Sequence, residues 1–246
     1  MNDKTIPAKE RLIFAMDVPD CNRARSLADE LGDAVSFYKI GLELMMSGGY
    51  FDLLDWMLAK DKKVFCDLKF FDIPATVGSA VRQLKDRGAS FVTVHGNQSI
   101  MEAAAENKGD SLKVLGVTVL TSLDRGDLDD LGFECDVGEL VLSRARRALE
   151  AGCDGVISSG LEVPKLREHV GSKLLVVTPG IRPVDNKPEG DQKRVVTVEK
   201  AFANGADYIV VGRPIRDAES PREAAETIQA TIAAQVEPFP SSGIEK

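Results

Sequence analysis

Histidine is scarce in this chain: His95 and His169 are the only two, too few for the paired-histidine motifs of zinc enzymes. Its four cysteines, Cys21, Cys66, Cys135 and Cys153, are widely spaced and form no CxxC pair, which excludes a dense disulfide framework and suits a reducing cytoplasm. No Walker loop and no GxGxxG occurs, so the common nucleotide and dinucleotide motifs are missing. No apolar run approaches the roughly 20 residues of a membrane span, and the polar stretch Met1 to Glu10 has no signal-peptide core. Positive charge is also lacking. With 31 Lys+Arg against 39 Asp+Glu the net charge is -8, which removes the broad attraction that drives nucleic-acid binding, so an anionic ligand must be held locally.

What is present is a well-mixed globular composition, 43% hydrophobic and 28% charged over 246 residues, enough to bury a sizeable core in one domain. Short apolar runs recur eight times: Leu12 to Met16, Phe37 to Gly41, Val64 to Leu68, Phe91 to His95, Val114 to Leu120, Gly155 to Ser158, Leu174 to Thr178 and Tyr208 to Gly212. Between them lie helical spacings such as Ala24, Leu27, Ala28 and Leu31, or Val77, Ala80, Val81 and Leu84. Gly32, Gly88, Gly152 and Gly205 follow periodic segments where a helix needs a C-terminal cap, and Ser220-Pro221-Arg222-Glu223 reads as a helix start. Eight buried strands alternating with helices predict a parallel sheet closed into a (β/α)8 TIM-type barrel over residues 1–236, with an open doubly wound sheet as the alternative. The stretch 237–246, rich in Pro and Ser, is expected to be a disordered tail.

Strands of such barrels are continuous apolar runs, so charges at their C-terminal ends call for a reason, and active sites occupy that rim. Asp17 ends the first run and Lys39 lies in the second. The third carries Asp67-Leu68-Lys69 followed by Phe70-Phe71-Asp72-Ile73-Pro74. Alternation along a strand points Asp67 and Lys69 the same way, into one pocket, with Cys66 and Leu68 toward the helices. Asp72, just ahead of Pro74, is placed to reach sideways toward a neighbouring chain. A second constellation follows the seventh and eighth runs: Thr178-Pro179-Gly180-Ile181-Arg182, Gly190-Asp191-Gln192 and Val211-Gly212-Arg213-Pro214-Ile215. Glycines let backbone N–H groups approach phosphate oxygens and arginines offer a bidentate fork, so a phosphorylated substrate is expected there.

The residues DLKFFDIP at 67–74, together with Lys39-Ile40-Gly41, Val119 to Ser122, Pro179 to Arg182, Asp191-Gln192 and Gly212-Arg213, closely resemble the orotidine 5'-phosphate decarboxylases along almost the whole barrel. The resemblance implies conversion of orotidine 5'-phosphate to uridine 5'-phosphate and carbon dioxide, the last step of de novo pyrimidine synthesis, with no cofactor and no metal. It implies Lys69 as proton donor, Asp67 as its neighbouring carboxylate, and Lys39 with Asp72 as the rest of an alternating charged network. Asp17 and Lys39 would contact ribose hydroxyls, Thr121 and Ser122 the pyrimidine side, and Arg182, Gln192, Gly212 and Arg213 the phosphate. Asp72, Ile73 and Thr76 would reach the partner's site in a cytoplasmic homodimer. His95 resembles a family position near the site, where a structural role weighs as much as a catalytic one. Phe71 departs from the His of many bacterial members; its side chain is expected to point away from Asp67 and Lys69. Two other readings have distinct signatures. A metal-dependent sugar-phosphate decarboxylase or epimerase would want a carboxylate near Lys39, which this chain lacks, and a non-catalytic nucleotide-binding barrel would bind without turnover.

Overall fold

Each of the eight apolar runs forms a strand in the computed structural model, which describes residues 6–182 and 194–236. The strands are β1 (Leu12–Ala15), β2 (Phe37–Gly41), β3 (Lys63–Phe70), β4 (Phe91–His95), β5 (Lys113–Val117), β6 (Gly155–Ile157), β7 (Leu175–Thr178) and β8 (Tyr208–Val211). They pair in parallel in sequence order, and β8 returns to β1 with Leu12 opposite Ile209 and Ile13 opposite Val210, so the sheet closes into a barrel. The open-sheet alternative is thereby excluded.

Alternation along the strands builds two apolar layers. Ile13, Phe37, Phe65, Phe91, Leu115, Leu175 and Tyr208 fill the barrel interior. Leu12, Phe14, Tyr38, Ile40, Val64, Cys66, Val92 and Val94 point outward and pack under the helices. The helix Cys21–Leu31 buries all four predicted positions, Ala24, Leu27, Ala28 and Leu31, and Asp20 caps its start by accepting from the N–H groups of Asn22 and Arg23. The helix Pro74–Lys85 buries Val77, Val81 and Leu84 and starts with Pro at its first turn, where a missing N–H is harmless; Ala80 is only half-buried. The four predicted capping glycines all have positive φ, at 53° for Gly32, 82° for Gly88, 80° for Gly152 and 99° for Gly205.

β2 and β4 have their predicted extents, four strands are one residue shorter, and β3 and β5 differ by more than one residue at an end. β5 stops at Val117 instead of running to Leu120, because other partners take the backbone groups beyond it. Thr118 donates its N–H and its hydroxyl to the carbonyl of Ile157, at 3.3 and 2.7 Å. The carbonyls of Val119 and Leu120 accept from the Arg194 guanidinium at 3.3 and 2.9 Å. β3 is longer than predicted and carries an irregularity: Cys66 pairs with Val92 and Phe70 with Val94, so four steps on β3 lie against two on β4. Past β7, Ile181 and Val196 form a parallel bridge, with the Arg182 N–H donating to Val196 and the Val196 N–H to Gly180, at 3.0 and 3.1 Å. The tail 237–246 and Gln192 lie outside the described residues. Among the described residues no helix is long and apolar enough to cross a membrane.

Candidate active site

A cavity of about 560 Å³ opens at the C-terminal ends of the strands. Asp17, Lys39, Asp67, Lys69, Thr121, Ser122, Arg182, Gly212 and Arg213 all line it, which brings together residues from six strands or the turns that follow them. Cys66 and Leu68 belong to the outer apolar layer, so Asp67 and Lys69 share the inner face as alternation requires.

The charges form a continuous row. Lys39 Nζ lies 3.1 Å from Asp17 Oδ1 and 3.3 Å from Asp67 Oδ2, and Lys69 Nζ lies 2.9 Å from that same Asp67 oxygen. Solvent access changes along the row: the Asp67 side chain is 10% exposed, Lys39 12%, Lys69 32% and Asp17 47%. Burial works to raise the pKa of Asp67, but the ammonium groups of Lys39 and Lys69 outweigh it and hold the carboxyl below its ordinary value. Burial likewise works to lower Lys39, and the carboxylates of Asp67 and Asp17 raise it above the usual lysine value. Removing one member would leave a buried charge without compensation, the situation that destabilises most.

Lys69 has a left-handed backbone, with φ at +48°, a conformation that a residue with a Cβ adopts only at some cost. It falls inside the β3 irregularity, and its N–H donates to Thr93 Oγ1 on β4 at 3.0 Å. Thr93 in turn donates to Asp67 Oδ1 at 2.8 Å. His95, the last residue of β4, is half-buried; burial, then the nearby charges of Arg144 and Lys69, lower its pKa below the ordinary histidine value. Phe71 does not line the cavity. It is 64% exposed, and its ring centroid lies 4.6 Å from that of His95.

Asp72, Ile73 and Thr76 also stay outside the cavity of their own chain and are exposed, the first two just ahead of the helix Pro74–Lys85 and Thr76 in its first turn. Asp72 accepts the N–H of Ile73 at 2.6 Å, and Ile73 is 66% exposed. Across the mouth, Gly180 turns the chain with φ at +76°, which opens the route between Pro179 and Arg182. Gly212 precedes the short helix Arg213–Arg216, and Arg213 stands exposed at the rim.

Sequence reasoning missed three residues here. Arg216 also lines the cavity and donates to the Asp17 carbonyl at 2.7 Å; its signal was the spacing of three from Arg213, which sets both on one helix face. Arg194 pairs with Glu162 at 2.6 Å while holding the Val119 and Leu120 carbonyls, directly ahead of Thr121. Thr93 reads in sequence as an ordinary β-branched strand residue and carries no separate signal.

A closed eight-stranded barrel with an acid–base row on one side of its C-terminal mouth, and glycine turns with arginines on the other, defines a (β/α)8-barrel enzyme. Comparison with known proteins narrows the class. Residues 10–228 match the family described as Orotidine 5'-phosphate decarboxylase / HUMPS family. The orotidine 5'-phosphate decarboxylase of Methylococcus capsulatus is 69% identical over 232 residues, covering 94% of this chain and 96% of the relative. That of Nitrobacter winogradskyi is 49% identical with the same coverages. The crystal structure of orotidine 5'-phosphate decarboxylase from Lactobacillus acidophilus superposes with a TM-score of 0.80 at 35% identity, covering 91% of this chain and 99% of that one. The chain belongs to the orotidine 5'-phosphate decarboxylase family.

Proposed function

We propose that this protein converts orotidine 5'-phosphate to uridine 5'-phosphate and carbon dioxide, completing pyrimidine nucleotide synthesis, with Lys69 as the group that stabilises and then protonates the carbanion. The observation that carries the reading is the row Asp17, Lys39, Asp67, Lys69, in which one carboxylate oxygen is shared by two ammonium groups inside the cavity. Breaking the bond to the carboxylate leaves its electron pair on a pyrimidine ring carbon, in an orbital that the ring delocalises poorly. An ammonium group facing that carbon stabilises the pair and then supplies the proton that makes the new C–H bond, joining electrostatic and general-acid roles. Neutral Lys69 would do neither.

Magnitudes require more than this contact. Unit charges about 4 Å apart interact by about 4 kcal/mol at an effective dielectric near 20, whereas enzymes lower barriers by about 8 to 23 kcal/mol. Binding of the remote phosphate must therefore contribute to ordering the transition state. Arg182, Gln192, Gly212 and Arg213 fit that part, with Thr121 and Ser122 toward the pyrimidine and Asp17 and Lys39 toward the ribose. In this reading the reaction uses no cofactor or metal.

Asp72, Ile73 and Thr76 serve the site of a second copy in a homodimer. Their exposure, outside their own cavity, and the exposed apolar side chains of Phe71 and Ile73 beside them support this assignment. A soluble cytoplasmic enzyme suits the chemistry and the free cysteines. The decisive test follows the ultraviolet absorbance of orotidine 5'-phosphate with purified protein in chelator. Consumption with release of carbon dioxide is expected, and correctly folded protein that leaves the substrate intact would overturn the reading.

A further inference from the structure

We propose that Thr93 is a positioning residue for this reaction, setting both the carboxylate of Asp67 and the backbone from which Lys69 extends. The inference rests on the role given above to Lys69. Its basis is the place on β4 where the ladder with β3 loses register: Val92 and Val94 pair with Cys66 and Phe70, and Thr93 stands alone between them. No residue of β3 is in register with Thr93 there, and its side chain makes the link to β3 instead. It is fully buried and bonded on both sides, accepting from the Lys69 N–H at 3.0 Å and donating to Asp67 Oδ1 at 2.8 Å.

The direction of these bonds is fixed by chemistry. A backbone N–H can only donate and a carboxylate can only accept, so the single hydroxyl proton of Thr93 is committed to Asp67. That leaves Asp67 with a division of labour between its oxygens: Oδ1 is anchored to β4, and Oδ2 receives both Lys39 at 3.3 Å and Lys69 at 2.9 Å. The same hydroxyl stabilises the left-handed turn at Lys69, where φ is +48°. Thr93 thus fixes the two ends of one geometric unit, the start of the Lys69 side chain and the acceptor that orients its ammonium group. Serine could supply the same hydroxyl; valine matches the shape and supplies none.

The test compares Thr93→Val, Thr93→Ser, Lys69→Ala and the unaltered enzyme in one assay of orotidine 5'-phosphate turnover. A misplacement of the order of an ångström at a reacting group can lower rate about 100-fold, and a fall of about that size in kcat is expected for Thr93→Val, with KM changed by less than about threefold. Thr93→Ser is expected to recover most of the loss. Should Thr93→Val fail to fold, Thr93→Ala against Thr93→Ser isolates the hydroxyl, since both lack the same methyl group. Unchanged kcat in the hydroxyl-free variant, a loss confined to KM, or Thr93→Ser as impaired as Thr93→Val would each overturn the inference. If the unaltered enzyme were inert, or Lys69→Ala fully active, the functional reading itself would fall and take this one with it. An active enzyme with inactive Lys69→Ala and unimpaired Thr93→Val would sink the role of Thr93 alone.

Discussion

Phe37 and Lys39 are two residues apart on β2, and so are Phe65 and Asp67 on β3, with all four side chains turned into the barrel. Over about 7 Å of strand the interior therefore passes from hydrocarbon to ions. The lower level is a set of rings meeting edge to face: Phe91 lies 4.9 Å from Phe37, 5.9 Å from Phe65 and 5.2 Å from Tyr208, centroid to centroid. Such pairs add to the transfer energy of burying the rings. The upper level gains nothing comparable, because desolvating its ions offsets much of their attraction. Stability is concentrated in the floor, and the proposed function puts the chemistry in the layer above it, where the packed floor supports a costly charge row.

This division can be broken experimentally. The largest effect is expected for Lys69→Ala, whose turnover should fall by about 10⁴-fold or more as electrostatic and proton-donor roles vanish together, while calorimetry still detects uridine 5'-phosphate binding. Retained turnover would place the chemistry elsewhere. Phe91→Ala should behave oppositely, losing about 3–5 kcal/mol in urea unfolding while the folded fraction keeps kcat close to the unaltered value. A collapse of kcat without loss of stability would erase the distinction between the levels.

Smaller effects sharpen it. Arg213→Ala should weaken phosphate-dependent affinity about 10- to 100-fold, the range for a hydrogen bond to a charged group, seen as a raised KM. Mixing inactive Lys69→Ala and Asp72→Ala chains should restore about a quarter of full activity, since random pairing makes half the dimers mixed and each mixed dimer has one intact site. No recovery in verified mixed dimers would put Asp72 outside the partner's site. The least effect concerns His95. Its pKa is lowered by folding, so the unfolded chain binds the proton more readily and stability falls as pH drops below about 6.5. His95→Gln should flatten that part of the unfolding profile. Asp67, also depressed, acts lower: its contribution is full above the ordinary carboxylate value near 3.9 and is lost as pH falls through its folded value.

The barrel was legible because eight parallel strands buried on both faces must be short apolar runs, and an ion at the end of such a run stands out. Asp17, Lys39, Asp67 and Lys69 were visible for that reason, and the structure gathers them in one cavity. The end of β5 was not legible, since Val119 and Leu120 are apolar and only the distant Arg194 claims their carbonyls. Nor was the slip between β3 and β4, because register is a relation between two segments and leaves no mark on either. Thr93 and the left-handed backbone of Lys69 follow from that slip. Phe71 was read only as turned away from the charges; its stacking on His95 depends on where β4 ends.

The bridge between Ile181 and Val196 has a bearing on how this chain can change over evolutionary time. It clasps the polypeptide on either side of residues 183–193, with Arg182 at one foot and Arg194 at the other. The feet are the costly positions to alter: a change at Arg182 reshapes the cavity wall, and one at Arg194 releases the Val119 and Leu120 carbonyls just ahead of Thr121.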